Sequence, residues 1–237
     1  MAKAVSHGAN RKKFDFLFND AGSMPFRANT GVGLATTFVD GAINLSIGAA
    51  VGSGSLDMNA TGLLAVDLIS IEFLIKLKAI DVNSRITLGV ASAYNADPDV
   101  VAESAWFKII GTGASDAHSV VIESDDATTN IDDEATSKTL VIDAWSRMKI
   151  DFATGIQSIS SPGVSKGGLG SLRYEMGRTS VGSHFMSKIS PTQHMDFSAV
   201  GAAIQLQPMI LTQQVTALAS PATVLQVKEI ILEYQTH

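Results

Sequence analysis

The sequence predicts an all-β chain folded as an antiparallel β-sandwich, on three observations. Apolar and polar residues alternate with period two in one segment after another. The alternation is clearest where Ile69, Ile71, Phe73, Ile75 and Leu77 face one way and Ser70, Glu72, Lys76 and Lys78 the other. Clusters of Gly, Pro, Asn and Asp separate these segments. No stretch sustains a helical period or has the spacing of a strand–helix–strand unit. The 237 residues suit one large sandwich, and 46% hydrophobic residues are enough to fill its core.

The elements follow in order. Residues 1–13 read as a flexible basic arm, broken at His7-Gly8-Ala9-Asn10 and ending in Arg11-Lys12-Lys13. Residues 14–237 read as a single sandwich domain with long loops. Phe14, Phe16 and Phe18 mark a short strand with an aromatic face, and Ile43, Leu45 and Ile47 mark another. Residues 48–62, with Gly52-Ser53-Gly54-Ser55, read as a flexible loop or a hairpin tip. The strong strand at 69–77 and the alternation of Ile86, Leu88 and Val90 read as a hairpin joined at Asp81-Val82-Asn83-Ser84.

A short helical turn is expected after Pro98, then an apolar strand over 105–110 and an alternating one through His118, Val120 and Ile122. Residues 124–138 read as an acidic loop. Leu140 and Ile142 resume a strand, and Met148, Ile150 and Phe152 alternate in the next. The Gly/Ser-rich stretch 160–170 is a loop or soft boundary; 173–176 is ambiguous and 191–197 is turn-like. Pro208 assigns the strand near 202–211 to a sheet edge or a bulge. Residues 223–235 form a last strong strand, expected beside an early one.

Composition excludes several chemistries. Net charge is -6, which gives no positive face for nucleic acid, and Arg11-Lys12-Lys13 is too short to serve as a nucleic-acid arm. With no cysteine there is no disulfide, no thiol nucleophile and no thiolate metal ligand. Apolar runs such as 63–77 are interrupted by Asp67, Glu72 and Lys76, so none reads as a membrane span. Charged residues make up only 17%, a bland surface that subunit contacts would cover.

Candidate sites are few. The five histidines form no close ligand pair, and His194-Met195-Asp196 reads as a surface turn. Asp125, Asp126, Asp132, Asp133 and Glu134 offer oxygen ligands but lack the alternation and central glycine of a calcium loop. Gly163-Val164-Ser165-Lys166-Gly167 matches a nucleophile-elbow pattern without its flanking strand and helix. Glu229 and Glu233 share a strand face about 13 Å apart, too far for paired acids, and the same-face neighbours of Asp151 are Lys149 and Arg147. Trp106, Trp145, Tyr94, Tyr174 and Tyr234 would stack on a sugar if exposed. No catalytic residue, cofactor or metal is therefore expected.

The stretch Trp145-Ser146-Arg147-Met148-Lys149-Ile150-Asp151-Phe152-Ala153-Thr154-Gly155 resembles the segment of concanavalin-A-like jelly-roll domains in which a tryptophan opens a strand that ends at a turn. The resemblance implies a jelly roll in which the segment 67–92 supplies two central strands. The lectin metal residues and laminarinase-type acids of that superfamily have no matching motif here. Low charge, absent cysteine and Ala/Gly/Ser/Thr-rich loops also resemble bacteriophage virion proteins of the capsid cement, decoration and head-fibre kind. That resemblance implies a homo-oligomeric virion subunit, made in the host cytoplasm, that stabilises the shell against the major capsid protein or other virion subunits. Arg11, Lys12 and Lys13 would be its interface. The alternatives are a carbohydrate- or receptor-binding fibre module, with exposed aromatics clustered on a sheet, and a glycoside-active enzyme.

Overall fold

A computed structural model describes residues 5–6, 11–17, 27–29, 34–58, 63–112, 116–152, 171–180, 183–184, 186–201, 203–217 and 223–235. Alternation in these residues resolves into seventeen strands: β1 (Val5–Ser6), β2 (Arg11–Leu17), β3 (Arg27–Asn29), β4 (Leu34–Val39), β5 (Ala42–Ile47), β6 (Gly52–Asp57), β7 (Leu68–Ala79), β8 (Ser84–Ala91), β9 (Glu103–Ile110), β10 (Ala117–Asp126), β11 (Asn130–Val141), β12 (Trp145–Asp151), β13 (Arg173–Ser180), β14 (Ser183–His184), β15 (Ser187–Lys188), β16 (Gln207–Gln214) and β17 (Thr223–Gln235). Among the described residues the only helical turns are two of 3-10 type, Ala65–Asp67 and Pro98–Val100. No helix there is long and apolar enough to cross a membrane.

The strands form two antiparallel sheets. The ten-stranded sheet runs β1-β2-β17-β7-β12-β13-β14, with β15 on β13, β5 beside the first half of β17, and β4 beyond β5. The seven-stranded sheet runs β11-β10-β9-β8-β16-β6-β3. Their inner faces share one core. Ile71, Phe73, Ile75, Leu77, Met148, Ile150, Ile230 and Leu232 from the first sheet meet Ile86, Leu88, Val90, Phe107, Ile109, Val120, Ile122 and Ile210 from the second. The Tyr174 hydroxyl crosses this core and donates to the Glu123 carbonyl at 2.7 Å, so the buried phenol has an acceptor.

The alternation at 69–77 and 86–90 gives β7 and β8 as expected, but they are not a hairpin. β7 pairs with β17 and β12, whereas β8 pairs with β9 and β16. The turn at 81–84 carries the chain from the centre of one sheet to the centre of the other. Both segments present an apolar face, and stacking those faces buries more than pairing side by side, which would leave one sheet uncovered. β17 lies against the early strand β2, as the sequence suggests.

Four other expectations are corrected. The arm does not extend to Lys13, since Arg11–Lys13 begin β2 and pair with Glu233–Gln235 of β17. The loop assigned to 48–62 contains β6, an interior strand between β16 and β3. The acidic loop at 124–138 is mostly strand, in β10 and β11. β16 is interior and not an edge; Pro208 lies one residue before its pairing with β6 begins, where the missing N–H interrupts no bond to β6.

Two glycine positions show how tightly the strands meet. Asp40 and Gly41 both have positive φ, 53° and 69°, the two-residue turn that matches strand twist between β4 and β5. Gly89 of β8 has no room for a side chain: a Cβ there would strike the carbonyl oxygen of Ala105 and touch the Trp106 ring at 3.0 Å. Gly89→Ala should therefore cost about 2–3 kcal/mol in urea unfolding. Exposed Val100→Ala should cost less than about 0.5 kcal/mol. Equal effects would contradict this packing.

Candidate functional site

The outer face of the seven-stranded sheet carries more chemistry than its sequence suggests. One row across it places Asp57, Met209, Gly89, Trp106 and Glu123 side by side, and the next places Ser55, Leu211, Thr87 and Lys108. This face is covered by residues 92–102, the connection between β8 and β9. Tyr94 and Val101 pack on Ala91, Trp106 and Met209. The Tyr94 hydroxyl meets Ser53 Oγ at 2.9 Å, and Gln213 Nε2 donates to the Ala96 carbonyl at 3.2 Å. Asp97 accepts from the Asp99 amide, with Pro98 opening the turn. The segment thus lies as a strap over the sheet.

Lys108 anchors the strap. It is fully buried, at 0% side-chain exposure, and its Nζ lies 2.6 Å from Asp99, 2.6 Å from Glu123 and 2.8 Å from Asp133. A buried ammonium demands such partners. Asp133 reaches it because β11 bulges there: Ile122 faces Glu134 and Ser124 faces Ile131, so Asp132 and Asp133 together oppose Glu123, and Asp133 takes φ 49°. Burial works against the lysine charge, but Glu123 and the hydrogen bonds to Asp133 and Asp99 outweigh it and hold the lysine protonated. Burial pushes the Glu123 carboxyl up to about 7, with Lys108 only partly opposing it.

Among its described residues this face offers no sugar-stacking surface and no working acid pair. Trp106 is 1% exposed and its Nε1 has no hydrogen-bond partner among the described residues. Glu123 and Asp125 project from the same side of β10 about 7 Å apart, a spacing that glycoside hydrolysis uses. Glu123, however, is 1% exposed and bound to Lys108.

The outer face of the ten-stranded sheet is a lattice of paired charges. Arg147 bridges Glu72 and Glu229, the latter at 2.7 Å. Asp151 takes Arg173 at 3.1 Å, with Lys149 at 4.0 Å. Trp145 lies half-buried beneath Lys76 Nζ, 4.7 Å from the ring centre, and Lys228 Nζ, 5.7 Å away. Glu229 does have a second acid beside it, Asp15 of β2, whose carboxyl is raised by burial and then by Glu229. The two are in hydrogen-bond contact and leave no room for substrate between them. Lys12 is exposed and Lys13 half-buried at this sheet's margin.

The acidic residues considered as calcium ligands diverge. Asp126 accepts from the amides of Thr128, Thr129 and Ala199; Asp133 goes to Lys108; Asp132 accepts from Asn130. Among the described residues no three acidic or histidine side chains converge as a metal site. Residues 153–170, which include Ser165, lie outside the described residues, as do His7 and His237. His118 is buried and accepts from the Thr112 amide, and burial lowers its pKa.

An open cleft of about 580 Å³ lies where residues 171–173 meet residues 188–195. β13 sets one wall, and the Leu172 amide donates to the Met195 carbonyl at 2.9 Å. Glu134 of β11 holds the other wall from the opposite sheet, accepting from the Thr192 amide at 2.5 Å, Thr192 Oγ1 at 2.6 Å and Gln193 Nε2 at 3.1 Å. The hydrogen bonds from Thr192 hold its carboxyl below the usual glutamate range. The floor is apolar, from Leu172, Ile189, Pro191 and Met195, and the rim is polar, from Ser171, Arg173, Lys188, Gln193 and His194. Ser171 Oγ and His194 Nε2 lie 3.0 Å apart across it. The sequence shows this region only as a turn, and the signal for the cleft is His194 and Gln193 beside buried Met195.

The Lys108 cluster has a pH signature. A carboxyl raised in the folded state keeps its proton there when the unfolded chain has lost it, so stability falls as pH rises between the ordinary glutamate range and about 7. The chain should lose on the order of 2–3 kcal/mol between about pH 5 and about pH 8 in urea titrations. Glu123→Gln should remove most of that decline. An unchanged slope in the variant would mean that the proton sits elsewhere.

No known family model and no curated protein sequence matches this chain. Solved structures do match, at identities that carry the fold alone. A protein of unknown function from Shewanella oneidensis MR-1 aligns at TM-score 0.57 and 11% identity, over 99% of this chain and 90% of that one. The carbohydrate recognition domain of Emp47p aligns at 0.54 and 9%, over 93% and 94%. Lectin II from Ulex europaeus aligns at 0.55 and 11%, over 93% and 97%. A Bacillus licheniformis β-glucanase is also among the matches. Those with a stated function are a carbohydrate recognition domain, a lectin and a glucanase, not virion proteins, so the bacteriophage capsid reading is corrected: low charge and Ala/Gly/Ser/Thr-rich loops describe a bland β-sandwich and do not select a capsid. The fold is a concanavalin-A-like jelly roll, an antiparallel β-sandwich of two sheets.

Proposed function

We propose that the chain is a carbohydrate-recognition domain that binds glycans without cleaving them, in the cleft between residues 171–173 and 188–195. The observation that carries this reading is the lining of that cleft. A sugar ring presents hydroxyls, which need donors and acceptors in several directions, and C–H faces, which need apolar contact. Ser171, Gln193 and His194 supply the first; Leu172, Ile189, Pro191 and Met195 supply the second. The volume is in the range of small-ligand sites. Lectins and a carbohydrate recognition domain among the fold's matches support the same reading.

Binding without hydrolysis follows from where the acids are. Among the described residues every rim side chain is neutral or basic, and none supplies a carboxyl to protonate a leaving group. The acids with hydrolytic spacing, Glu123 and Asp125, lie on the other sheet's outer face, with Glu123 beneath the strap.

An immobilised glycan panel probed with the full chain tests this. Binding to at least one glycan is expected, together with an affinity loss of tenfold or more in Gln193→Ala/His194→Ala. Both side chains are exposed and Glu134 keeps its two bonds from Thr192, so the melting temperature should fall by only a few degrees. Binding that survives the double substitution would place the site elsewhere, and release of reducing ends from the bound glycan would make the chain an enzyme.

A further inference from the structure

We propose that the ligand of this cleft is an acidic glycan, a sugar bearing carboxylate or sulfate groups; the inference rests on the carbohydrate reading above. It comes from a contrast in charge. The chain has 23 acidic residues against 17 basic ones, yet the side chains lining the cleft include Arg173, Lys188 and His194 and no Asp or Glu.

Arg173 is ion-paired to Asp151 and Glu175, whereas Lys188 is not. Lys188 is exposed and has no ion-pair partner among the described residues. Glu175 sits opposite it in register, but its carboxylate lies 3.0 Å from Arg173 Nε. Arg173 gives Nη2 to Asp151 at 3.1 Å. His194 is exposed beside Ser171. Asp196, which interacts electrostatically with His194, accepts from the amides of Phe197 at 2.7 Å and Ser198 at 3.0 Å. Glu134 is occupied by Thr192 and Gln193.

A neutral sugar would use the hydroxyl, amide and imidazole groups and leave Lys188 idle. An anionic substituent would use it, since a lysine ammonium donates charge-assisted hydrogen bonds to carboxylate and sulfate. The surrounding negative field repels such ligands in general, so attraction confined to the cleft would make binding local and salt-sensitive.

The test uses matched pairs: a neutral oligosaccharide, its uronic-acid counterpart and its sulfated counterpart, titrated calorimetrically into the full chain. The acidic members should bind at least tenfold more tightly. That preference should collapse as salt rises from about 0.05 to about 0.5 M. It should also collapse in Lys188→Gln and persist in Lys188→Arg. Neutral members that bind as tightly as acidic ones would overturn the inference and leave the carbohydrate reading intact. Inorganic sulfate binding as tightly as the sulfated glycan would reduce the cleft to an anion site and overturn it as well. No binding by any member would overturn both.

Discussion

The ammonium of Lys108 has to be satisfied in a place that water does not reach, and much of this structure's outward form follows from that need. Three carboxylates from three elements meet it: Asp99 from the strap, Glu123 from β10 and Asp133 from the bulge in β11. Each contact fixes a piece of backbone. The strap is drawn down over Trp106 and Met209, and the bulge holds Asp133 in a left-handed conformation that L-residues seldom adopt. Breaking such a cluster leaves a charge uncompensated and is far more costly than never having built it.

Closing that face has a functional consequence. The sheet's broad outer surface is filled by the chain's own residues 92–102, and Trp106 is sealed beneath them. The opposite sheet's outer face is occupied by its own ion pairs around Arg147 and Asp151. The cleft at the edge, where the two sheets are clamped by Glu134, keeps polar groups that are still available. The proposed site therefore lies at a sheet margin and not on a sheet face.

How much of this was legible depends on how local the signal is. β7, β12 and β17 are written in period two and appear where the alternation puts them. Pairing is not local, and so β7 and β8 looked like a hairpin when each is central to a different sheet. Gly52-Ser53-Gly54-Ser55 has loop composition but lies in an interior strand, because neighbours on both sides supply the hydrogen bonds that its own propensity does not favour. Asp40-Gly41 is a turn signal readable from sequence alone. Lys108 was hidden inside an apolar run, although a lone lysine beside Trp106 in a strand flanked by acids is a hint of a buried pair. The cleft was not legible, since its walls come from segments that look like turns, meet through the Leu172–Met195 backbone bond and are held by Glu134, 58 residues from Thr192 in sequence.

The central claim is that ligand enters the edge cleft while the strapped sheet face stays closed. Backbone and indole chemical-shift mapping with a bound glycan tests it most directly. The account predicts shifts confined to residues 171–173 and 188–195, with the Trp106 indole unmoved. A large shift at Trp106 and Tyr94, with the cleft silent, would contradict it and show that the strap opens.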